Sequence, residues 1–299
     1  MKLLTFQTGA GLAVGMVTKK GVLNIASAAA ALSYNETIPT VMNDILEGGR
    51  KAQDHLKQLA RKAETEGDDS LFIPEEQLVW GPCVPKPGKI ICVGLNYRKH
   101  AIETNSPIPQ TPILFSKYNN SLSGHGQDVE IPDLTQKLDY EAELAVVIGS
   151  QAKNVGREIA LDYVAGYCCA NDLSARDLQL QTSQWLAGKS CDGFCPLGPY
   201  LVTSDEVDNP NSLQIRTYVN GEVRQNSNTS DMIFHVDEIV SFISGLMTLE
   251  PGDVILTGTP EGVVMGYPPE MQKYLQPGDE VMIEIESLGS LTNRVKAPL

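Results

Sequence analysis

Short apolar runs separated by glycine- and proline-rich turns recur along most of this chain, and that rhythm predicts many short strands. The densest run is YEAELAVVIG at 140–149. Residues i and i+2 of a strand share a face, so Tyr140, Ala142, Leu144, Val146 and Ile148 form one wholly apolar face. The other face opens with Glu141 and Glu143 and continues as Ala145, Val147 and Gly149. Such a strand is buried on both sides along most of its length and carries two carboxylates at one end. The next apolar run, 164–170, predicts a second buried strand that leads into Asp172. Where the two strand ends gather, the three carboxylates of Glu141, Glu143 and Asp172 would meet in a low-dielectric place, there to take up protons or share a cation. An all-oxygen set suits a hard ion such as Mg²⁺ or Mn²⁺. Taken alone, the pattern also fits a solvated strand face, the default place for acidic side chains.

The other elements are read by the same rules. Residues 1–75 predict a small N-terminal α/β module. Two short apolar strands with a hairpin turn at 19–21 lead there to a helix over 40–66, in which Val41, Ile45, Leu56 and Leu59 recur among charged residues. The stretch 71–89 carries four prolines, and 76–88 reads as a linker. From Lys89 onward come strands at KIICVGLNY and TPILFSKY, then the two carboxylate strands. The segment 173–186 predicts a helix with Ser174 and Asp177 as a modified capping box. Residues 213–219 alternate, Asn220-Gly221 signals a hairpin, 234–249 predicts a helix, and 281–295 a final hairpin. Strands do not alternate regularly with helices, so residues 89–299 form a strand-rich α+β domain rather than a doubly wound parallel sheet.

Composition narrows the function more than the fold. A net charge of −14 argues against non-specific binding to nucleic acid or an anionic membrane. No run approaches the ~18 apolar residues that a spanning helix needs. The start, MKLLTFQTGAGLAVG, is interrupted by glycines and runs on without a clear cleavage site, so a cytoplasmic location is expected. Six cysteines lie mostly in apolar surroundings without paired CxxC spacing, which fits buried free thiols.

Several polar residues stand where they could carry chemistry. His100 lies just past a strand end with Glu103 three residues on, and helical spacing would bring carboxylate and imidazole together. Such a pair could deprotonate a water; an exposed histidine in a charged turn fits the same letters. Arg176 and Gln179 follow Asp172 at helical spacing and could present a cation and an amide to an anion, although Arg176 could equally pair with Asp172 or Asp177. Lys189 lies in a glycine-rich loop, and TGTPEG at 257–262 offers hydroxyls and backbone N–H groups after a strand. There is no P-loop, GxGxxG, GxSxG or HExxH motif.

Taken together, VGLNYRKHAIE, FSKYNNSLSGHG, DYEAELAVVIG, GYCCANDLSARDLQ, WLAGKSCDGFCPLGP, VNGE, LEPGDVILTGTPEGV and GDEVMIEIESLGSLTNRV resemble the fumarylacetoacetate hydrolase family, in its short-form branch. The resemblance covers about two-thirds of the chain, from Lys89 to Val295, in the family's order. It implies a mixed β-roll catalytic domain and a Mg²⁺ or Mn²⁺ ion held by Glu141, Glu143 and Asp172. It implies a catalytic His100–Glu103 dyad on a mobile lid, with Lys189 adding positive charge at the reacting oxygen. Arg176, Gln179, Lys117 and Thr259 fall at the family's substrate-contacting positions. Members are commonly homodimers that act on small 2-oxo acids. The activity implied first is hydrolytic C–C cleavage of acylpyruvates or fumarylpyruvate-type acids to release pyruvate. The alternative is decarboxylation or tautomerisation of oxaloacetate or a related 2-oxo diacid.

Overall fold

A computed structural model describes residues 1–34 and 36–298. Strands Lys2–Thr8 (β1), Gly11–Thr18 (β2) and Gly21–Asn24 (β3) form an antiparallel meander. Its second turn is the expected one at 19–21, but three strands stand where two were expected. Helices Ile25–Ala31 (α1), Met42–Glu47 (α2) and Gly49–Glu66 (α3) follow. The single helix expected over 40–66 is broken at Gly48–Gly49, because Gly49 takes a φ of 54°, a left-handed conformation that ends one helix before the next begins. Ala52, Leu56, Leu59 and Ala63 form the buried stripe of α3. Phe72–Ile73 (β4) and Trp80–Gly81 (β5) return to pair with β3 and β1.

The rest of the chain contributes Ile90–Gly94 (β6), Arg98–Glu103 (α4), Ile113–Lys117 (β7), Leu122–Ser123 (β8) and Asp128–Glu130 (β9). Leu138–Asp139 (β10), Ala142–Ile148 (β11), Val164–Asn171 (β12) and Ser174–Ala175 (β13) come next. Then follow Arg176–Gln179 (α5), Leu186–Lys189 (α6), Cys195–Thr203 (β14), Gln214–Val219 (β15) and Glu222–Asn228 (β16). Val236–Leu246 (α7), Val254–Leu256 (β17), Glu280–Ile285 (β18) and Gly289–Lys296 (β19) complete the chain.

One large sheet runs β4-β3-β2-β1-β14-β12-β11-β17-β6-β7, with β5 and β8 at its flanks. The N-terminal meander continues this sheet through antiparallel pairing of β1 with β14. A second sheet runs β16-β15-β18-β19-β9. Strand β11 lies between two cores, which is why both of its faces are buried. Ala142, Leu144, Val146 and Ile148 pack with Ile215, Ile283 and Leu291 of the second sheet and with Ile239 and Ile243 of α7. Ala145 and Val147, on the glutamate face, pack in a core that includes Leu56, Leu59 and Ala63 of α3.

The expected helix over 173–186 does not form as one piece. Ser174 pairs with Asp139 across the β10–β13 ladder, and its hydroxyl donates to the Asp172 carbonyl, so it caps nothing. The Asp177 carboxylate is engaged by the Thr135 hydroxyl and the Gln136 N–H. The helical stretch is therefore split into α5 and α6, and Lys189 ends α6 rather than lying in a loop. The Asn220-Gly221 hairpin forms as expected, with φ of 52° and 81° at the two turn residues. Among the described residues no helix is long and apolar enough to cross a membrane.

Candidate active site

The register of β11 against β12 assembles the acidic cluster. Ala142 faces Asn171 and Glu143 faces Ala170, so the residues just beyond, Glu141 and Asp172, meet at the strand ends. The Asp172 N–H donates to the Glu141 carbonyl at 2.9 Å, and the Asn171 side chain accepts from the Glu141 N–H at 3.0 Å. A one-residue slip would send both glutamates to the opposite face. Carboxylate oxygens of Glu141, Glu143 and Asp172 lie within 4.8 Å of one another, and all three residues are buried.

Cations surround this cluster. Lys189 Nζ lies 2.7 Å from both Glu141 Oε2 and Asp172 Oδ2. Lys117 Nζ lies 2.5 Å from Asp172 Oδ1. Arg176 Nη2 is 2.7 Å from Glu141 Oε1, while its Nε donates to Asp139 at 2.8 Å. Burial would raise the Glu141 carboxyl, but Lys189 and Arg176, with His100, outweigh it and hold it at about 2. Burial likewise pulls the Lys189 ammonium down, and Asp172 and Glu141 more than reverse that. Those two ion pairs favour the charged form of Lys189.

Glu143 is the exception. Among the described residues it makes no ion pair, and burial, with Asp172 and Glu141 beside it, pushes its carboxyl well above the usual range. Its Oε2 accepts from the Gly258 N–H at 2.7 Å. Gly258 has a φ of 98°, and a Cβ there would come within 2.7 Å of Asn96, so only glycine brings this N–H in. With Glu143 ionised, the buried carboxylates Asp139, Glu141, Glu143 and Asp172 carry one negative charge more than Lys117, Arg176 and Lys189 offset, an excess that a proton on Glu143 or a bound cation relieves. That excess, at an all-oxygen cluster with Glu143 unpaired, fits a divalent cation held by Glu141, Glu143 and Asp172.

The dyad is formed. His100 Nδ1 lies 2.8 Å from Glu103 Oε1 across one turn of α4, and Glu103 Oε2 accepts from the Gly262 N–H at 2.9 Å. Gly262 has a φ of 101°, and a Cβ there would lie 2.2 Å from the Arg224 carbonyl. A cavity of about 250 Å³ lies over the cluster. His100, Glu141, Glu143, Arg176, Gln179, Lys189 and Thr259 line it, with Val93, Leu95, Phe115, Leu180 and Trp185 as an apolar wall. Leu95 holds a φ of 53°, a left-handed backbone at the cavity rim of the kind that proteins retain at functional sites.

The structure thus brings together the sequence-derived candidates His100, Glu103, Glu141, Glu143, Asp172, Arg176, Gln179, Lys189 and Thr259. Lys117 lies at the end of β7 with its ammonium on Asp172 and does not line the cavity. Two residues escaped the sequence reading. Asp139 accepts from Arg176 Nε and from the N–H groups of Tyr140, Val264 and Met265. Gln225 joins Ala142 to Thr259. Only their burial marks them, and a lone Asp or Gln in a short strand carries no such signal in sequence.

The geometry has relatives. Residues 89–296 match the family model described as fumarylacetoacetate (FAA) hydrolase C-terminal. The chain belongs to the fumarylacetoacetate hydrolase family. One member, the mitochondrial oxaloacetate tautomerase fahd2 of Xenopus laevis, is 42% identical over 268 residues, which cover 88% of this chain and 81% of the relative. Another, the oxaloacetate tautomerase YisK of Bacillus subtilis (strain 168), is 40% identical over 303 residues, covering 99% of this chain and 100% of the relative. The crystal structure of maleylpyruvate hydrolase from Sphingobium sp. SYK-6 in complex with manganese(II) ion and pyruvate is 29% identical with a TM-score of 0.79, and the match covers 100% of both chains. The expected α+β architecture of the fumarylacetoacetate hydrolase family is the one observed.

Proposed function

We propose that this protein is a divalent-metal-dependent oxaloacetate tautomerase, moving a proton between C3 and the 2-oxygen of a small 2-oxo diacid. The observation that carries this reading is His100, paired with Glu103, on the wall of the same cavity as the acidic cluster. Of the four histidines only His100 lines that cavity, and Lys189 is engaged as a cation. His100 is thus the proton carrier at hand. Relatives named oxaloacetate tautomerase at 40–42% identity support this reading over acylpyruvate cleavage, the activity expected first from sequence.

Glu141, Glu143 and Asp172 would hold the metal, Mg²⁺ or Mn²⁺ by their oxygen chemistry, which when bound supplies Lewis-acid polarisation of the 2-oxo group. With Nδ1–H donated to Glu103, His100 presents the lone pair of Nε2 to the cavity and takes the proton from C3. Arg176 lines the cavity with its guanidinium held by Glu141 and Asp139, a fixed positive charge for a substrate carboxylate. Lys189 holds a fixed positive charge beside the developing enolate. The proton returns to the 2-oxygen, so the substrate's composition does not change. The apolar wall of Phe115 and Trp185 limits water near the dyad.

The test follows the ultraviolet absorbance of enol oxaloacetate with metal-loaded protein, corrected for metal-catalysed background, alongside release of pyruvate from acylpyruvates and of CO₂. Enol decay at the background rate while acylpyruvates are cleaved would replace this reading with the hydrolase. His100→Ala should lower kcat by roughly 10²-fold or more, as loss of a general base does, with the melting temperature and metal affinity unchanged. A large fall in melting temperature with turnover kept would make His100 structural.

A further inference from the structure

Gln225 lies on β16 at 1% exposure, and both ends of its amide are engaged inside the protein. Its Oε1 accepts from the Ala142 N–H at 2.9 Å and from the Thr217 hydroxyl at 2.6 Å. Its Nε2 donates to Thr259 Oγ1 and to the Pro260 carbonyl, both at 2.8 Å. The neighbours dictate this orientation, since the Ala142 N–H can only donate and the Pro260 carbonyl can only accept. A flipped amide would set donor against donor at one end and acceptor against acceptor at the other. Thr259 therefore receives a hydrogen bond at its oxygen, and among the described residues its own proton is given to no protein group. Thr259 lines the cavity and is 3% exposed.

We propose that Gln225 is a positioning residue that turns the Thr259 hydroxyl proton into the cavity, where it donates to an acceptor oxygen of the ligand. The group seated there is then an acceptor oxygen, which a carboxylate, enolate or 2-oxo oxygen of a 2-oxo acid supplies. Because the same amide holds Ala142, between Glu141 and Glu143, it also keeps this donor in register with the carboxylates. The inference rests on the cavity being a 2-oxo acid site but not on which reaction follows.

Its test uses Mn²⁺-loaded protein and oxalate, a dianion shaped like the enolate end of such an acid, in titration calorimetry. Thr259→Val should bind Mn²⁺ as wild type does and bind oxalate about tenfold more weakly, the worth of one hydrogen bond to a charged group. Thr259→Ser should keep wild-type oxalate affinity. A carboxyl at position 225 has at most one proton to give, and when that proton goes to the Pro260 carbonyl or is lost, the Thr259 proton turns back to it. Gln225→Glu should therefore weaken oxalate as much as Thr259→Val does, and the double variant should be no weaker than Thr259→Val alone. Losses that multiply in the double variant, or oxalate bound by Gln225→Glu as by wild type, would overturn the assignment. Gln225→Met removes both donors at similar volume and gives the same test should Gln225→Glu not fold. Wild-type protein that binds no oxalate sinks this inference and the cavity reading together. Oxalate binding without enol turnover sinks only the tautomerase.

Discussion

Glu143→Gln is expected to make the metal-free protein more stable and to leave it unable to hold its metal. Glu143 is 2% exposed, has no ion pair among the described residues, and lies beside Asp172 and Glu141. Ionising a carboxyl there is costly, because burial, Asp172 and Glu141 push it well above its usual range and Lys189 offsets only part of that. Glutamine keeps the shape and the acceptor for the Gly258 N–H, and its amide can donate to the neighbouring carboxylates. Relief of about 1–3 kcal/mol is reasonable for removing such a buried charge, a rise of roughly 2–10 °C for a chain of this size. Metal affinity should fall by roughly 100-fold or more, since one of three ligands is lost, and enol turnover should fall with it. Melting curves with and without chelator, and Mn²⁺ titration, check both halves. Unchanged Mn²⁺ affinity would remove Glu143 from the site.

Lys189→Met is expected to act in the opposite direction. The Lys189 ammonium bridges Glu141 and Asp172 and is 2% exposed. Its removal leaves two buried carboxylates short of a cation, and breaking a buried pair costs roughly 3–5 kcal/mol. Arg176 still serves Glu141 and Lys117 still serves Asp172, which places the loss near the lower end, about 6–12 °C in melting temperature. The pH dependence has a definite sign. Glu141 is held at about 2 against an ordinary 4.5, so its contribution is full above pH 4.5 and is lost as pH falls from 4.5 toward 2. Without Lys189 that depression shrinks, and acid unfolding should begin at higher pH than in wild type. Mn²⁺ should restore part of the lost stability, because it would supply positive charge to the same oxygens. A variant that melts like wild type across this pH range would show that Lys189 is not needed to balance the cluster.

Much of the site was legible because strand periodicity and helical spacing are local. The i, i+2 placement of Glu141 and Glu143 at the start of a doubly buried strand, and the i, i+3 reach of His100 to Glu103, need only backbone geometry. The errors fell where distant partners decide. Ser174 and Asp177 look like a cap, but the β10 ladder and the 135–136 turn take them instead. The sequence alone puts acylpyruvate cleavage first, whereas the relatives' names favour the alternative: hydrolysis and tautomerisation can use the same residues, so local motifs do not rank them.

What the sequence by itself determined is the two strands that carry the carboxylates and the main hairpins, the strand-rich class, the family, and the residues that can carry charge or protons. Only the tertiary structure decided how those charges are shared. Lys189 became a cation bridging Glu141 and Asp172, Lys117 a counter-ion to Asp172 outside the cavity lining, and Glu143 a carboxylate with no ion pair among the described residues. Asp139 and Gln225 entered the site only when β10, β16 and the 257–266 loop came together. The physical reason is that hydrogen-bond direction and ion pairing in a low-dielectric interior depend on contacts a few ångströms long between residues as far apart as Gln225 and Ala142. No local pattern encodes such a distance until the chain has closed on itself.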